Sequence, residues 1–265
     1  MSAPAREDQA QDQRGGHGIY VYGIVPGDVE VTEQAQGVGD PPAQVELVHS
    51  GDLAALVSEI GTDQPLGTPE DLTAHQALLD GTAPAAPVLP LRFGAVMTSK
   101  DAVAEELLEA NHDEFAKALS ELEGKAQFVI KGRYEQDAIL REVLAEYPDA
   151  AKLRDQIQRT GDEDATRELR IQLGEMINEA VTAKREQDTR SVGDAVADVC
   201  IASSVREPSH EEDAANIAVL VETAKADELE SAVSDLAGQW EGRVTVRLLG
   251  PMAPYDFVVT DTPEG

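Results

Sequence analysis

The sequence predicts an α+β protein in two parts. Three observations carry that reading. Short β-branched and aromatic runs, such as GIYVYGIV (18–25) and NIAVLVE (216–222), are bounded by turn residues. Segments with apolar residues at helical spacing lie between them. The middle of the chain, 136–190, has no strand signal, and 12 of the 21 Lys and Arg residues fall within 125–205.

The elements follow in order. GIYVYGIV reads as a buried strand ended by Pro26 and Gly27. VELVHS (45–50) and LAALVSEI (53–60) flank Gly51-Asp52, a hairpin signal. Thr68-Pro69-Glu70-Asp71 opens a helix, with Thr as the cap and Pro at its first position. VLPLRFGAVM (88–97) is the next strand, and 101–122 a helix with Leu108, Phe115, Leu119 and Leu122 on one face. QFVIKGRY (127–134) closes a set close to a ferredoxin-like βαββαβ unit with one added strand.

Beyond it, Thr160-Gly161-Asp162-Glu163 has the form of a capping box for a long helix. Leu169, Leu173, Met176, Ile177, Ala180 and Val181 form that helix's narrow apolar stripe. VADVCIASSV (196–205) and NIAVLVE read as strands around the acidic SHEEDA. A helix over 225–240 and a strand over 243–251 complete the chain. The expected organisation is a disordered tail (1–17), a ferredoxin-like N-terminal domain (18–135) and a C-terminal domain of long helices plus a small β-sheet (136–265). A helical arm spans about 136–190. A strand, helix and strand leading into a proline-flanked turn recur in both halves.

Composition narrows the function. A net charge of −30, from 51 acidic and 21 basic residues, repels nucleic acid and anionic membranes. The single cysteine, Cys200, excludes an internal disulfide and fits a reducing cytoplasm. No apolar run approaches the roughly 20 residues that span a bilayer. His17, His49, His75, His112 and His210 show no metal-ligand spacing, and phosphate-loop, dinucleotide and zinc-protease motifs are absent. No cofactor, metal or catalytic residue is expected.

One residue stands out. Arg92 sits inside the most apolar run of the chain, PVLPLRFGAV (87–96). It reads either as a buried tie satisfied by a carboxylate or carbonyls, the favoured reading, or as an anchor for a partner or anionic ligand. Pro90 argues against a regular central strand there.

Five blocks in order resemble the gas vesicle protein F/L family: YVYGIV (20–25), GDLAALVS (51–58), HQALL (75–79), VLPLRFGAV (88–96) and GPMAPYDFV (250–258). Gln76 stands where the family usually has an acid, Met252 where it has Trp, and Ala253 where it has Pro. The resemblance implies a non-enzymatic gas vesicle accessory or minor structural protein in the cytoplasm. It implies, as partners, the small and very apolar shell subunit (GvpA-like) and other accessory proteins. It also marks signature positions: His75, Pro90, Arg92, Phe93 and Gly94 in the first half, and Gly250, Pro251, Pro254 and Tyr255 in the second. Two other readings stay open on the residues alone, a ferredoxin-like small-ligand-binding regulatory module and an enzyme that holds an anionic substrate at Arg92.

Overall fold

The computed structural model describes residues 16–31, 35–61, 66–162 and 164–258. The expected tail over 1–17 falls almost wholly outside them, and the terminal DTPEG wholly so. The chain divides into two compact units. The first runs through Leu79 and resumes over Val88–Leu119; the second takes Asp80–Pro87 and continues from Ser120.

In the first unit, β1 (His17–Pro26) is central. β2 (Val45–Ser50) and β3 (Leu53–Gly61) form the expected hairpin. Gly51 turns it at φ +63°, a conformation that suits a residue without Cβ. α1 (Pro69–Thr82) opens where expected. The Asp71 N–H donates to Thr68 Oγ1 (3.2 Å), and the Thr68 N–H donates to Asp71 Oδ2 (3.1 Å), closing a reciprocal cap.

The single strand expected over 88–97 is instead two short strands, β4 (Leu89–Pro90) and β5 (Val96–Met97), both paired with β1. Pro90 offers no amide hydrogen and Gly94 lies at φ +92°, so the ladder breaks between them. The helix expected over 101–122 is also broken. α2 (Lys100–Ala102) passes into a π-helical stretch, Val103–Glu109, before α3 (His112–Leu122). The wider turn lets Val103, Leu107 and Leu108 all bury.

In the second unit, the strand expected over 127–134 is β6 (Lys125–Tyr134). It does not join the first sheet: it pairs with β8 (Asp213–Glu222) and β9 (Val244–Met252), while β7 (Cys200–Val205) pairs with β8. The middle is helical, as α4 (Gln136–Glu146), α5 (Pro148–Thr160) and α6 (Arg167–Val196). Thr160 does not open the long helix. It ends α5, and Gly161 closes that helix at φ +67°. Asp162 Oδ1 instead accepts the N–H groups of Asp164 and Ala165 ahead of α6. Glu163 lies outside the described residues.

α6 also runs on to Val196, where a strand was expected to begin. Ala180, Lys184, Asp188, Val192 and Val196, four apart throughout, are all buried. Val192 and Val196 join Leu229, Val233 and Leu236 of α7 (Ala226–Gln239) over one face of the sheet, against Phe128, Ile130, Ile217 and Val219.

Both sheets are antiparallel and share one order. Each runs second, third, first, fourth strand: β2-β3-β1-β4 and β7-β8-β6-β9. That is the ferredoxin-like order, with a helix before the fourth strand in each case, α1 or α7. The first crossover differs. It carries α4, α5 and α6 in the second unit; in the first, the described residues between β1 and β2 hold no helix, and Gln36 and Gln44 form an isolated bridge.

Candidate interaction site

The two signature blocks occupy the same station in the two units, at the end of the fourth strand. In the first unit the block is a bulged turn. The Leu91 N–H donates to the Tyr22 carbonyl (2.9 Å) and the Val21 N–H donates to the Ala95 carbonyl (2.9 Å). Those bonds fix both ends on β1, so Arg92, Phe93 and Gly94 must leave the sheet.

Buried polar side chains hold the turn from beneath. Tyr20, pointing inward from β1, has no exposed surface. Its hydroxyl accepts the Gly94 N–H (3.2 Å) and lies 2.9 Å from His75 Nδ1 on α1. Burial pushes the Tyr20 hydroxyl up to about 12, so it stays protonated and donates to the imidazole. His75 also bonds to the backbone of Leu91. Burial holds the His75 pKa below its ordinary 6.5 against the bond to Leu91, which raises it. The shift favours the neutral imidazole, and the ring is engaged within the protein by Tyr20 and the Leu91 backbone.

Aromatic edges complete the support. The rings of Tyr20 and Phe93 are 5.8 Å apart, those of His75 and Phe93 5.6 Å, and those of Tyr20 and Tyr22 4.8 Å, all tilted or edge-on. The Tyr22 hydroxyl donates to Ser58 Oγ (3.0 Å) and accepts the Val38 N–H (2.8 Å), which ties the loop before β2 to the same cluster. Asp71 anchors that loop from α1: its Oδ1 accepts the Gly39 N–H and its Oδ2 the Gly67 N–H. Burial opposes its ionisation, but the donated hydrogen bonds outweigh burial and hold the carboxyl below its usual range.

The expected tie at Arg92 is not made. Arg92 is exposed, and its guanidinium has no ion-pair or hydrogen-bond partner among the described residues. The physical reason is the bulge. The side chain belongs to a turn thrown off the sheet, so it never enters the apolar layer that the flanking Leu89 and Leu91 occupy. Pro90 is buried and Phe93 half-buried, while Gly94 is exposed at a φ that favours glycine.

In the second unit, Gly250 and Pro251 end β9, both exposed, and Pro254 is buried with Tyr255 half-buried. A Cβ on Gly250 would lie 2.8 Å from the Phe128 ring and 2.9 Å from the Gln127 carbonyl oxygen, so only glycine fits. Residues outside the expected set do the holding. Gln127, fully buried on β6, donates through Nε2 to Asp256 Oδ2 (2.6 Å) and accepts the Asp256 N–H at Oε1 (3.0 Å). Arg206 grips the same carboxylate with two nitrogens, its Nε at 2.8 Å.

The departures from the family pattern have local uses. The Met252 sulfur lies 3.6 Å from Gln127 Nε2. The Ala253 N–H donates to Asp80 Oδ1 (3.0 Å), a bond that a proline at 253 could not make.

A common scheme emerges. In each unit a buried polar side chain on the first strand, Tyr20 or Gln127, takes a backbone N–H from the segment after the fourth strand. The polar groups of the first signature are spent on holding shape, and what remains outward is one guanidinium, a five-fold donor suited to a carboxylate. The two blocks belong to different units: His75, Pro90, Arg92, Phe93 and Gly94 to the first, Gly250, Pro251, Pro254 and Tyr255 to the second.

Known proteins share this sequence and architecture. Residues 18–259 match the family model described as "Gas vesicle synthesis protein GvpL/GvpF". Gas vesicle protein F of Streptomyces sp. (strain CB03234) is 33% identical over 243 residues, covering 90% of this chain and 98% of that one. Gas vesicle protein L of the same strain is 30% identical, covering 90% of this chain and 91% of that one. The crystal structure of GvpF from Anabaena sp. PCC7120 superposes with a TM-score of 0.74 over 93% of this chain and all of that one, at 22% identity, which speaks to the fold. With 242 consecutive positions matched, the chain belongs to the gas vesicle GvpL/GvpF family.

Proposed function

We propose that the chain is a non-catalytic accessory or minor structural protein of gas vesicles. It binds the small apolar shell subunit in the cytoplasm, limits that subunit's aggregation and assists vesicle nucleation together with other accessory proteins. Family membership supports a gas-vesicle-related role. The observation that carries the finer reading is the bulged turn, in which Tyr20 and His75 are consumed in clamping a backbone that leaves Arg92 exposed and unengaged. A turn whose backbone is already fixed loses little backbone freedom on contact, so it suits recognition. Val96, immediately after the turn, is 43% exposed and adds apolar surface. The net charge of −30 keeps capped subunits apart by repulsion.

The test is light scattering of the shell subunit with and without this protein, alongside pull-down, across a salt series. Suppression of aggregation should fall more than binding does as salt screens exposed charges, whose reach is about 10 Å near 0.1 M. Arg92→Ala should weaken the pull-down while leaving the fold intact. No binding at any salt concentration would end the direct-binding reading.

A further inference from the structure

The outer ends of β6 and β9 carry an unpaired cation pair. Lys131 and Arg247 are direct partners across the two antiparallel strands, so their side chains leave the same face side by side. Like charges at such positions repel. Neither has an ion-pair or hydrogen-bond partner among the described residues. That is unusual in a chain with 51 acids for 21 bases. Acids are near, yet each is committed elsewhere. Glu212 pairs with Arg133, whose Nε lies at 3.1 Å. Glu135 accepts the Thr245 hydroxyl (2.8 Å). Asp213 Oδ2 accepts the N–H groups of Ser209 and His210 (2.7 and 3.0 Å). All of these residues line one open cleft of about 450 Å³.

We infer that this cleft binds a single carboxylate presented by a partner polypeptide, held between Lys131 and Arg247. The number of charges selects the ligand. The wall carries three cations, Lys131, Arg133 and Arg247, and three carboxylates, Glu135, Glu212 and Asp213. A multiply charged phosphate would bring more negative charge than the two free cations offset, beside three carboxylates in the same wall. One carboxylate needs only the two free cations, and Arg247 can meet it with two parallel N–H donors. The inference does not depend on what binds at Arg92.

The test is a titration of the ¹⁵N-labelled full chain, followed at the Arg247 Nε–H and the amides of 131 and 247. The probes are acetyl-Gly-Glu-Gly-amide, its Gln counterpart and inorganic phosphate. The Glu peptide should bind at least tenfold more tightly than the Gln peptide. The double variant Lys131→Gln, Arg247→Gln should weaken it at least tenfold. Equal response to the two peptides, or retention of binding by the double variant, overturns the inference. Phosphate binding tenfold tighter than the Glu peptide overturns it in favour of a free-phosphate site. Arg247→Glu provides an independent arm. It converts repulsion across the strands into attraction, so it should raise the thermal midpoint and abolish peptide binding. Retained binding in that variant overturns the site whatever the midpoint.

Discussion

Arg92 and His75 lie in one signature and do opposite jobs. Arg92→Ala removes an exposed side chain with no partner among the described residues, so stability should change by no more than about 0.5 kcal/mol. His75→Ala leaves the buried Tyr20 hydroxyl and the Leu91 backbone without this partner, at a cost of about 1–3 kcal/mol. Denaturant melts of the two variants check both values. His75 also sets a pH dependence. Its folded pKa lies below the unfolded 6.5, so the unfolded chain takes the proton more readily. Its contribution is full above about pH 6.5 and is lost as pH falls below it. Melts at pH 7.5 and 5.5 should show a larger loss in the parent than in His75→Gln. At this scale the motif positions were readable, since Pro90, Gly94 and Gly250 are backbone choices with a local signature. Tyr20, Gln127 and Asp256 were not. They look like ordinary polar residues, and their role appears only when strand pairing brings together positions 74 and 129 residues apart.

The long helix shows how charge can hide an element's inner face. The buried stripe of α6 has Lys184 and Asp188 in its middle, so apolar periodicity fades there and the strand seemed to begin too early. Both are satisfied by a network. Lys184 Nζ meets Glu142 (2.6 Å) and Glu146 (2.7 Å) of α4. Arg243 bridges Glu142 and Asp188, and the Tyr134 hydroxyl donates to Asp188 Oδ2 (2.6 Å). Desolvation and the bond to Asp188 both push the Tyr134 pKa up, so that proton remains in place. Asp188→Ala should cost about 1–3 kcal/mol, because the buried Tyr134 hydroxyl loses its acceptor while Arg243 keeps Glu142; thermal or urea unfolding measures it. The N-terminal half of α6 is different. Leu169, Leu173, Met176 and Ile177 are only half-buried. Amide hydrogens over 169–177 should therefore exchange faster than those over 184–196, as hydrogen-exchange mass spectrometry would show. The expected helix existed, but its start was misplaced, because Thr160 sits where one helix ends just before another begins.

Over the whole molecule, charge and topology set the behaviour. A net charge of −30 makes the compact state repel itself. Raising salt from about 0.01 to about 0.15 M shortens the screening length from about 30 to about 8 Å, so the thermal midpoint should rise with salt. A falling midpoint would mean that attractive ion pairs outweigh the repulsion. The α+β class and most strands were readable from local pattern, while the assignment of β6 to the second sheet was not, since QFVIKGRY says nothing of its neighbours. The repeated strand order has one more consequence, which concerns time. In each unit the first strand made is an inner strand, with neighbours on both sides, and its last neighbour is made last. β1 waits only until about residue 97 leaves the ribosome. β6 ends at Tyr134, and β9 is not finished until Met252. At about 5–20 residues per second, one flank of β6 stays open for roughly 6–24 s of synthesis. The first unit can be complete while the second is still a half-built sheet.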